Sequence, residues 1–426
     1  MCYPARTVQP QPVVASWAGP VPIVRYRPPG WKMGLMLASM EAVRRLMDLR
    51  HRGRAEDLPG VLAAVAPLLD AEAATVLLVD YGQVALHPLR GTAVDLATRL
   101  AVENTPAGRA FTTAQQQWLD EGDRGVLWLP LLHGAERLGV LEFRVKTYPS
   151  TADRLDLEVI AALVAELIAS RRCYGDAVEH TRRRLPMQLA AEIIWNQLPP
   201  LTFAVDGTLV TAVLEPCYDV GGDAFDYAAN DEILHVALFD TVGHGISASA
   251  LTTLTLNTYR NARRSGLDLI DTYRSIDKWI TAQYRGSFVT AILAELDMAT
   301  GRYQRISAGH PAELFLRDGR ALPQLPTPTA MPLGLGTMVA RPPRVIEQQL
   351  APGDTLVLYT DGVTEARDAS GTLFGVDRLG DFLLDTMRDG TSAPETMRRL
   401  IQAIISYEDG ELRDDATAAM LQWRRH

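Results

Sequence analysis

Four short, mostly apolar stretches in the second half of the chain each deliver an aspartate: Val220-Gly-Gly-Asp223, Phe239-Asp-Thr-Val-Gly-His-Gly245, Leu356-Val-Leu-Tyr-Thr-Asp-Gly-Val-Thr-Glu365 and Arg413-Asp-Asp-Ala-Thr417. An Asp-Gly at a strand end is, taken singly, more often a plain turn. Four such stretches, each ending in or carrying an aspartate, together point to a metal centre, because carboxylate oxygens at strand ends can surround Mg²⁺ or Mn²⁺ and leave coordination positions to water. The glycines before Asp223 let the backbone turn sharply toward such a centre, and Asp240 precedes a glycine-rich turn that leads into a helix N-terminus. A fold for this chain must therefore bring distant strand ends to one place.

A two-metal centre suits hydrolysis of a phosphate ester, with a metal-activated water as attacking group and no covalent nucleophile. The sequence has no CxxxxxR loop, no Gly-x-Ser-x-Gly elbow and no GxxxxGK run, which sets aside cysteine phosphatase, serine esterase and nucleotide kinase.

With 426 residues, 47% hydrophobic and 22% charged, the chain is long enough for two or three domains, each with its own core. Lys and Arg number 42 against 51 acidic residues, a formal charge of −9, and no basic stripe alternates with aromatics, so nucleic acid is not an expected partner. Cys2, Cys173 and Cys217 are far apart and show no CxxC spacing, which gives neither a disulfide framework nor a zinc site and fits a reducing cytoplasm. Seven prolines among the first thirty residues interrupt any signal-peptide core, and the longest apolar run, Val159 to Ala169, is broken by Glu166, so no membrane span is expected.

These features divide the chain into a flexible proline-rich tail (1–30), an N-terminal helix (31–55), an α/β unit (56–172), a helical linker (173–200) and a catalytic half (201–426). In the helix from Trp31 to Arg52, Met36, Met40, Val43 and Met47 share a stripe that either covers the next domain's core or forms a dimer seam. The α/β unit is expected to hold a helix over 58–69, a strand over 74–80, an antiparallel hairpin of 126–132 and 138–145 turning at His133-Gly-Ala-Glu136, and a closing helix over 156–172. The linker's basic residues, Arg171, Arg172 and Arg182 to Arg184, flank Gly175 and Pro186. A short apolar helix, Met187 to Leu198, then joins the two halves. In the catalytic half, consecutive strands with grouped helices predict an α+β sandwich of antiparallel sheets covered by helices.

Residues 56–172 resemble a GAF domain through Thr105-Pro-Ala-Gly-Arg-Ala-Phe111, Leu129-Pro-Leu-Leu and Leu138-Gly-Val-Leu-Glu142. That resemblance implies either a small-ligand sensor or a unit that only dimerises or transmits a signal. With no cysteine between Cys2 and Cys173, a thioether-linked chromophore is excluded.

From about residue 205 to 424 the sequence resembles the metal-dependent PPM protein serine/threonine phosphatases, in particular their SpoIIE-like branch. The matching stretches are Val220 to Asp226, Asp240 to Gly245, Ala308-Gly-His-Pro311, Pro332-Leu-Gly-Leu335, Leu350 to Arg367, Phe374-Gly375 and Asp414-Asp-Ala-Thr417, in the family's order. The resemblance implies two Mn²⁺ or Mg²⁺ ions bridged by Asp240, with the carbonyl of Thr241 as a further ligand. Asp361 and Asp414 would hold one ion, and Asp223 would serve the centre directly or through water. It gives Asp415, Asp226 and Asp219 no firm role, leaves His244 as either a general acid or a residue that orients its turn, and makes His310 structural. The implied substrate is phosphoserine or phosphothreonine on a STAS-type anti-sigma factor antagonist, with the opposing kinase a separate protein. The contrasting reading is a signal-dependent binding scaffold with little catalysis, and a third keeps the metal chemistry on a small phosphate ester. Control is expected to pass from the GAF-like unit through the helix 187–198, and dimerisation to use the helices near 31–50 and 156–172.

Overall fold

The computed structural model describes residues 33–91, 99–219, 221–338, 342–410 and 412–424; the proline-rich tail expected over 1–30 lies outside them, as does Val220 of the first aspartate motif. Its first half contains α1 (Met33–Arg52), α2 (Leu58–Val65), β1 (Ala71–Val79), β2 (Ala85–Pro88), β3 (Leu100–Ala101), α3 (Pro106–Thr113), β4 (Gln117–Asp120), β5 (Gly125–His133), β6 (Glu136–Val145), α4 (Thr151–Arg171), α5 (Ala177–Arg182) and α6 (Leu189–Trp195). The six strands form one antiparallel sheet in the order β3-β2-β1-β6-β5-β4. β5 and β6 turn at Gly134-Ala135, with His133 opposite Glu136, and Gly134 supplies the positive φ that a two-residue turn demands.

Successive residues of these strands alternate between two cores, as strand geometry requires. Val76, Leu78, Leu141 and Phe143 pack under α1, α2 and α4, while Leu77, Val79 and Val140 pack against Phe111 of α3. The buried stripe of α1 is Ala42, Leu46 and Leu49 rather than the expected methionine row, since Met40 is 59% exposed. Of the expected row, Val43 packs against the same core in part, so the row that meets α2 and α4 is rotated from the methionine stripe and overlaps only its edge.

The second half contains β7 (Thr202–Val205), β8 (Thr208–Glu215), β9 (Ala224–Asn230), β10 (Ile233–Thr241), α7 (Gly245–Arg264), α8 (Leu269–Gln283), β11 (Val289–Asp297), β12 (Arg302–Ala308), β13 (Leu314–Arg317), β14 (Arg320–Leu322), β15 (Ile346–Gln349), β16 (Thr355–Tyr359), α9 (Asp361–Thr364), α10 (Gly375–Arg388), α11 (Ala393–Tyr407) and β17 (Ala416–Trp423). Two antiparallel sheets, β15-β12-β11-β10-β9 and β14-β13-β16-β17-β8-β7, lie face to face. Val236 and Leu238 of β10, Leu356 and Leu358 of β16 and Leu421 of β17 fill the space between them. The alternate residues, Ala237 and Phe239 on one sheet and Val357 and Tyr359 on the other, meet α7 with α8 and α10 with α11 respectively. Each such buried Val, Leu or Phe contributes about 1.5–3 kcal/mol relative to exposure, so strands apolar on both faces are locked into a helix-sheet-sheet-helix stack.

The halves meet through charge as well as apolar surface. Glu395 and Arg398 of α11 are buried; Arg398 pairs with Glu395 and with Glu103, and Arg137 of β6 reaches Glu395 at 3.3 Å. Among the described residues no helix is long and apolar enough to cross a membrane.

Candidate metal centre

β10 carries Val236 and Leu238 between the two sheets, and by the same alternation Asp240 continues that face at the strand's end. Thr241 is its buried last residue, and the backbone then turns through exposed Val242 and Gly243 into α7. In the opposite sheet β16 runs out at Tyr359, Thr360 occupies the N-cap position of the short helix α9 without a side-chain capping bond, and Asp361 is that helix's first residue. Asp414 and Asp415 immediately precede β17, the neighbour of β16. The sandwich thus delivers Asp240 from one sheet and Asp361, Asp414 and Asp415 from the other.

Asp223 arrives on the loop between β8 and β9 and is buried. The Asp415 carboxylate accepts from the backbone N–H groups of Gly221, Gly222 and Asp223 at 2.7–3.2 Å, and the Thr360 hydroxyl donates to Asp223 Oδ2 at 2.7 Å. The Thr252 hydroxyl of α7 donates to the Gly222 carbonyl at 2.7 Å and lies 2.8 Å from Thr241 Oγ1. Two glycines make this packing possible. A Cβ on Gly222 would stand 2.5 Å from the Thr241 carbonyl oxygen, and one on Gly362 would stand 2.0 Å from that of Asp415.

The carboxyl groups share one electrostatic field. Burial, then Asp361 and Asp414, push Asp240 up to about 7. Burial, then the charges of Asp240 and Asp415, hold Asp223 well above the ordinary carboxylate range. Asp361 is raised by burial and by Asp414, and Asp415 by burial, against the three N–H groups it accepts. Among the described residues none of these five aspartates is in a salt bridge with Lys, Arg or His within 4.0 Å. Nor, among the described residues, do three His, Cys, Asp or Glu side chains stand close enough together to hold an ion as they are set. An unneutralised acidic cluster of oxygen donors fits a hard divalent cation, which supplies the missing positive charge.

The other aspartates and histidines have distinct surroundings. Asp226 is buried and ion-paired with Arg260 at 2.7 Å and Arg263 at 3.0 Å, a bond from β9 to α7. Asp219 is exposed. His244 is exposed at the N-cap of α7 and its side chain makes no capping bond. His310 is buried, with Nδ1 2.8 Å from the Thr290 hydroxyl and Nε2 3.0 Å from the Tyr359 carbonyl, while Thr290 in turn lies 3.3 Å from Asp240 Oδ2. Sequence reasoning left Asp415 without a role and did not single out Thr290 or Thr360. The tandem Asp414-Asp415 was the one visible signal, since adjacent residues before a strand point to different sides and serve different partners.

Residues 230–424 match the family model described as Stage II sporulation protein E (SpoIIE), a range that contains Asp240, Thr241, Asp361 and Asp414 but not Asp223. The chain is 25% identical over 215 residues to phosphoserine phosphatase RsbU of Bacillus subtilis, covering 50% of this chain and 62% of that protein. It is 27% identical over 209 residues to phosphoserine phosphatase RsbP of the same organism, covering 47% of this chain and 49% of that one. The chain therefore spans less than two thirds of the length of these curated relatives. A solved structure, the SiaA PP2C domain of Pseudomonas aeruginosa, superposes with a TM-score of 0.47 at 22% identity, covering 60% of this chain and 99% of that one. By the family match and the motifs inside it, residues 230–424 form a domain similar to the SpoIIE-like PPM-type phosphatase domains.

Proposed function

We propose that this chain is a metal-dependent protein serine/threonine phosphatase whose centre is held by Asp223, Asp240, the Thr241 carbonyl, Asp361 and Asp414. One observation carries the reading: five aspartates from two sheets share a field that raises the proton affinity of Asp223, Asp240, Asp361 and Asp415, and no described cation answers them. When bound, Mn²⁺ or Mg²⁺ would supply a deprotonated water and neutralise phosphoryl oxygens. The chain's own contribution is positional. Asp240 stands at a strand end where the charges of Asp361, Asp414 and Asp415 act on it, Thr290 and His310 orient it, and Asp415 fixes the loop of Asp223 through three N–H groups. The turn after Asp240 is exposed, so a phosphorylated side chain on a protein surface has open access.

The relatives named phosphoserine phosphatases support a phosphoprotein substrate, and the SpoIIE-like resemblance points to a phosphorylated STAS-type regulator. In the same reading residues 56–172 are a GAF-like sensor, open to a small ligand, that acts through the linker 173–200 on a phosphatase domain over 201–426. The helices near 31–50 and 156–172 offer a homodimer contact, and the cytoplasm is the compartment.

The test is turnover of an aryl phosphate and of a phosphorylated STAS protein by the purified chain, with Mn²⁺, with Mg²⁺ and after chelation, beside Asp240→Asn. Metal-dependent hydrolysis that the variant lacks is expected. Binding of the phosphoprotein without turnover under any metal condition would favour the scaffold reading.

A further inference from the structure

The loop that carries Asp223 is held at both ends by different parts of the molecule. Its far end, Gly221 to Asp223, is fixed to the acidic cluster by the Asp415 carboxylate. Its near end is held by the linker. The Trp195 indole N–H donates to the Cys217 carbonyl at 2.7 Å, the Gln188 N–H to the Tyr218 carbonyl at 2.9 Å, and the Arg184 N–H to the Tyr218 hydroxyl at 2.9 Å. The first half touches the same point: the Tyr81 ring, just past β1, lies edge-on to Tyr218 at 6.4 Å and 4.7 Å from the Trp195 ring. Arg184, whose backbone makes one of these bonds, directs its guanidinium toward buried Asp80 at 3.9 Å. Tyr218 and Gly221 are three positions apart, a reach of at most about 11 Å for a fully extended chain. A displacement of Tyr218 therefore has only a few backbone torsions in which to be absorbed before it reaches the amides that hold Asp415.

We propose that Tyr218 and Trp195 are positioning residues: they couple the linker, and through Tyr81 the first half of the chain, to the placement of Asp223 and thereby to the cluster's affinity for a divalent cation. The role rests on the metal-dependent reading above. It belongs to neither residue's packing alone, because Trp195 donates a directional hydrogen bond onto the loop and Tyr218, on the loop, accepts one from the linker. A bond that orients a metal-holding residue from outside the ligand set changes metal affinity or activity by about 10–100-fold when removed.

The experiment uses the full chain with Tyr218→Phe, which deletes one hydroxyl and keeps the ring, and Trp195→Phe, which deletes the indole N–H. Two quantities are measured: hydrogen exchange of the Gly221 to Asp223 amides in the metal-free protein, and Mn²⁺ affinity by calorimetry. Faster exchange at those amides, a Mn²⁺ affinity weaker by roughly tenfold and an unchanged kcat at saturating Mn²⁺ are expected. Because Tyr218→Phe removes a single oxygen from a half-buried site, it keeps the test open if Trp195→Phe does not fold. Exchange and affinity equal to wild type in the folded variants would overturn the proposal, and so would loosened amides with unchanged Mn²⁺ affinity. If the wild-type chain neither takes up Mn²⁺ nor hydrolyses a phosphoprotein, the phosphatase reading fails by itself, while unchanged exchange at the three amides would still refute the tether.

Discussion

His310 Nδ1 lies 2.8 Å from the Thr290 hydroxyl, deep under the end of the sandwich. The Tyr359 carbonyl facing Nε2 can only accept, so the neutral ring carries its proton on Nε2 and Nδ1 is an acceptor. Thr290 therefore has one proton and two acceptors before it, His310 and, at 3.3 Å, Asp240. The ring sets how firmly Thr290 grips the carboxylate that the metal centre is built on. His310→Gln keeps a donor for Tyr359 and replaces the ring's fixed Nδ1 acceptor by a flexible amide oxygen, and it is expected to lower phosphatase activity by about 10–100-fold. Assay over a Mn²⁺ titration checks this; activity within twofold of wild type would show that the ring only fills space.

The same residue has a consequence for stability. Burial pushes His310 from 6.5 down to about 4. The unfolded chain therefore binds a proton below pH 6.5 that the folded chain refuses until about pH 4, and stability falls as pH drops through that window, by about 2 kcal/mol at pH 5. The raised carboxyls of the cluster act in the opposite sense over an overlapping range, gaining stability as pH falls. The measurement is therefore a difference: urea unfolding of metal-free wild type and His310→Gln at pH 7.5 and pH 5. The wild type should lose about 2 kcal/mol more than the variant on acidification. An equal change in both would mean that the ring is protonated in the folded chain.

Asp240→Asn separates chemistry from stability. Turnover should vanish because the central carboxylate is gone. The metal-free variant should nonetheless be more stable than wild type at pH 8, where a carboxyl displaced from 3.8 to about 7 is forced to ionise beside Asp361 and Asp414. That displacement corresponds to at most about 4 kcal/mol, and the gain should shrink toward zero near pH 4. Thermal melting across pH in chelator checks it, and a variant less stable than wild type at pH 8 would show that the cluster is not strained without metal.

Much of this was legible in the sequence where one residue type had one explanation. β8, β10, β16 and β17 are apolar on both faces, and runs of that kind can lie only between covering layers. The aspartates at their ends followed directly. β9 was hidden because Asp226 interrupts its apolar run, and its burial depends on Arg260 and Arg263, more than thirty residues away on α7. β7, β14 and β15 are three or four residues long and lie at or next to sheet edges, too short for a period to show. The stripe of α1 misled because Met36, Met40, Val43 and Met47 and the row Ala42, Leu46 and Leu49 both have helical spacing, and only the partner surface decides between them. Asp415 could not be given its task from sequence, since its partners are backbone N–H groups nearly two hundred positions earlier.

The contact between the two halves offers the last prediction. Glu395 is buried and accepts from Arg398 at 2.8 Å, Arg399 at 2.9 Å and Arg137 at 3.3 Å, while Arg137 also lies over the Phe111 ring at 4.5 Å. Burial depresses the Arg137 guanidinium to about 10 despite Glu395 beside it, a sign of how little water reaches this contact. Removing one partner of such a pair leaves the other charge buried and unanswered, at a cost of about 3–5 kcal/mol. Glu395→Gln should therefore destabilise the full chain by that amount and expose the junction between β6 and α11 to protease. Arg137→Met should cost less, because Arg398 remains to answer Glu395. In a double-mutant cycle the two changes together should cost less than their sum, by more than about 1 kcal/mol. Simple additivity would mean that Arg137 and Glu395 are neighbours without energetic coupling, and that this ion pair does not join the halves.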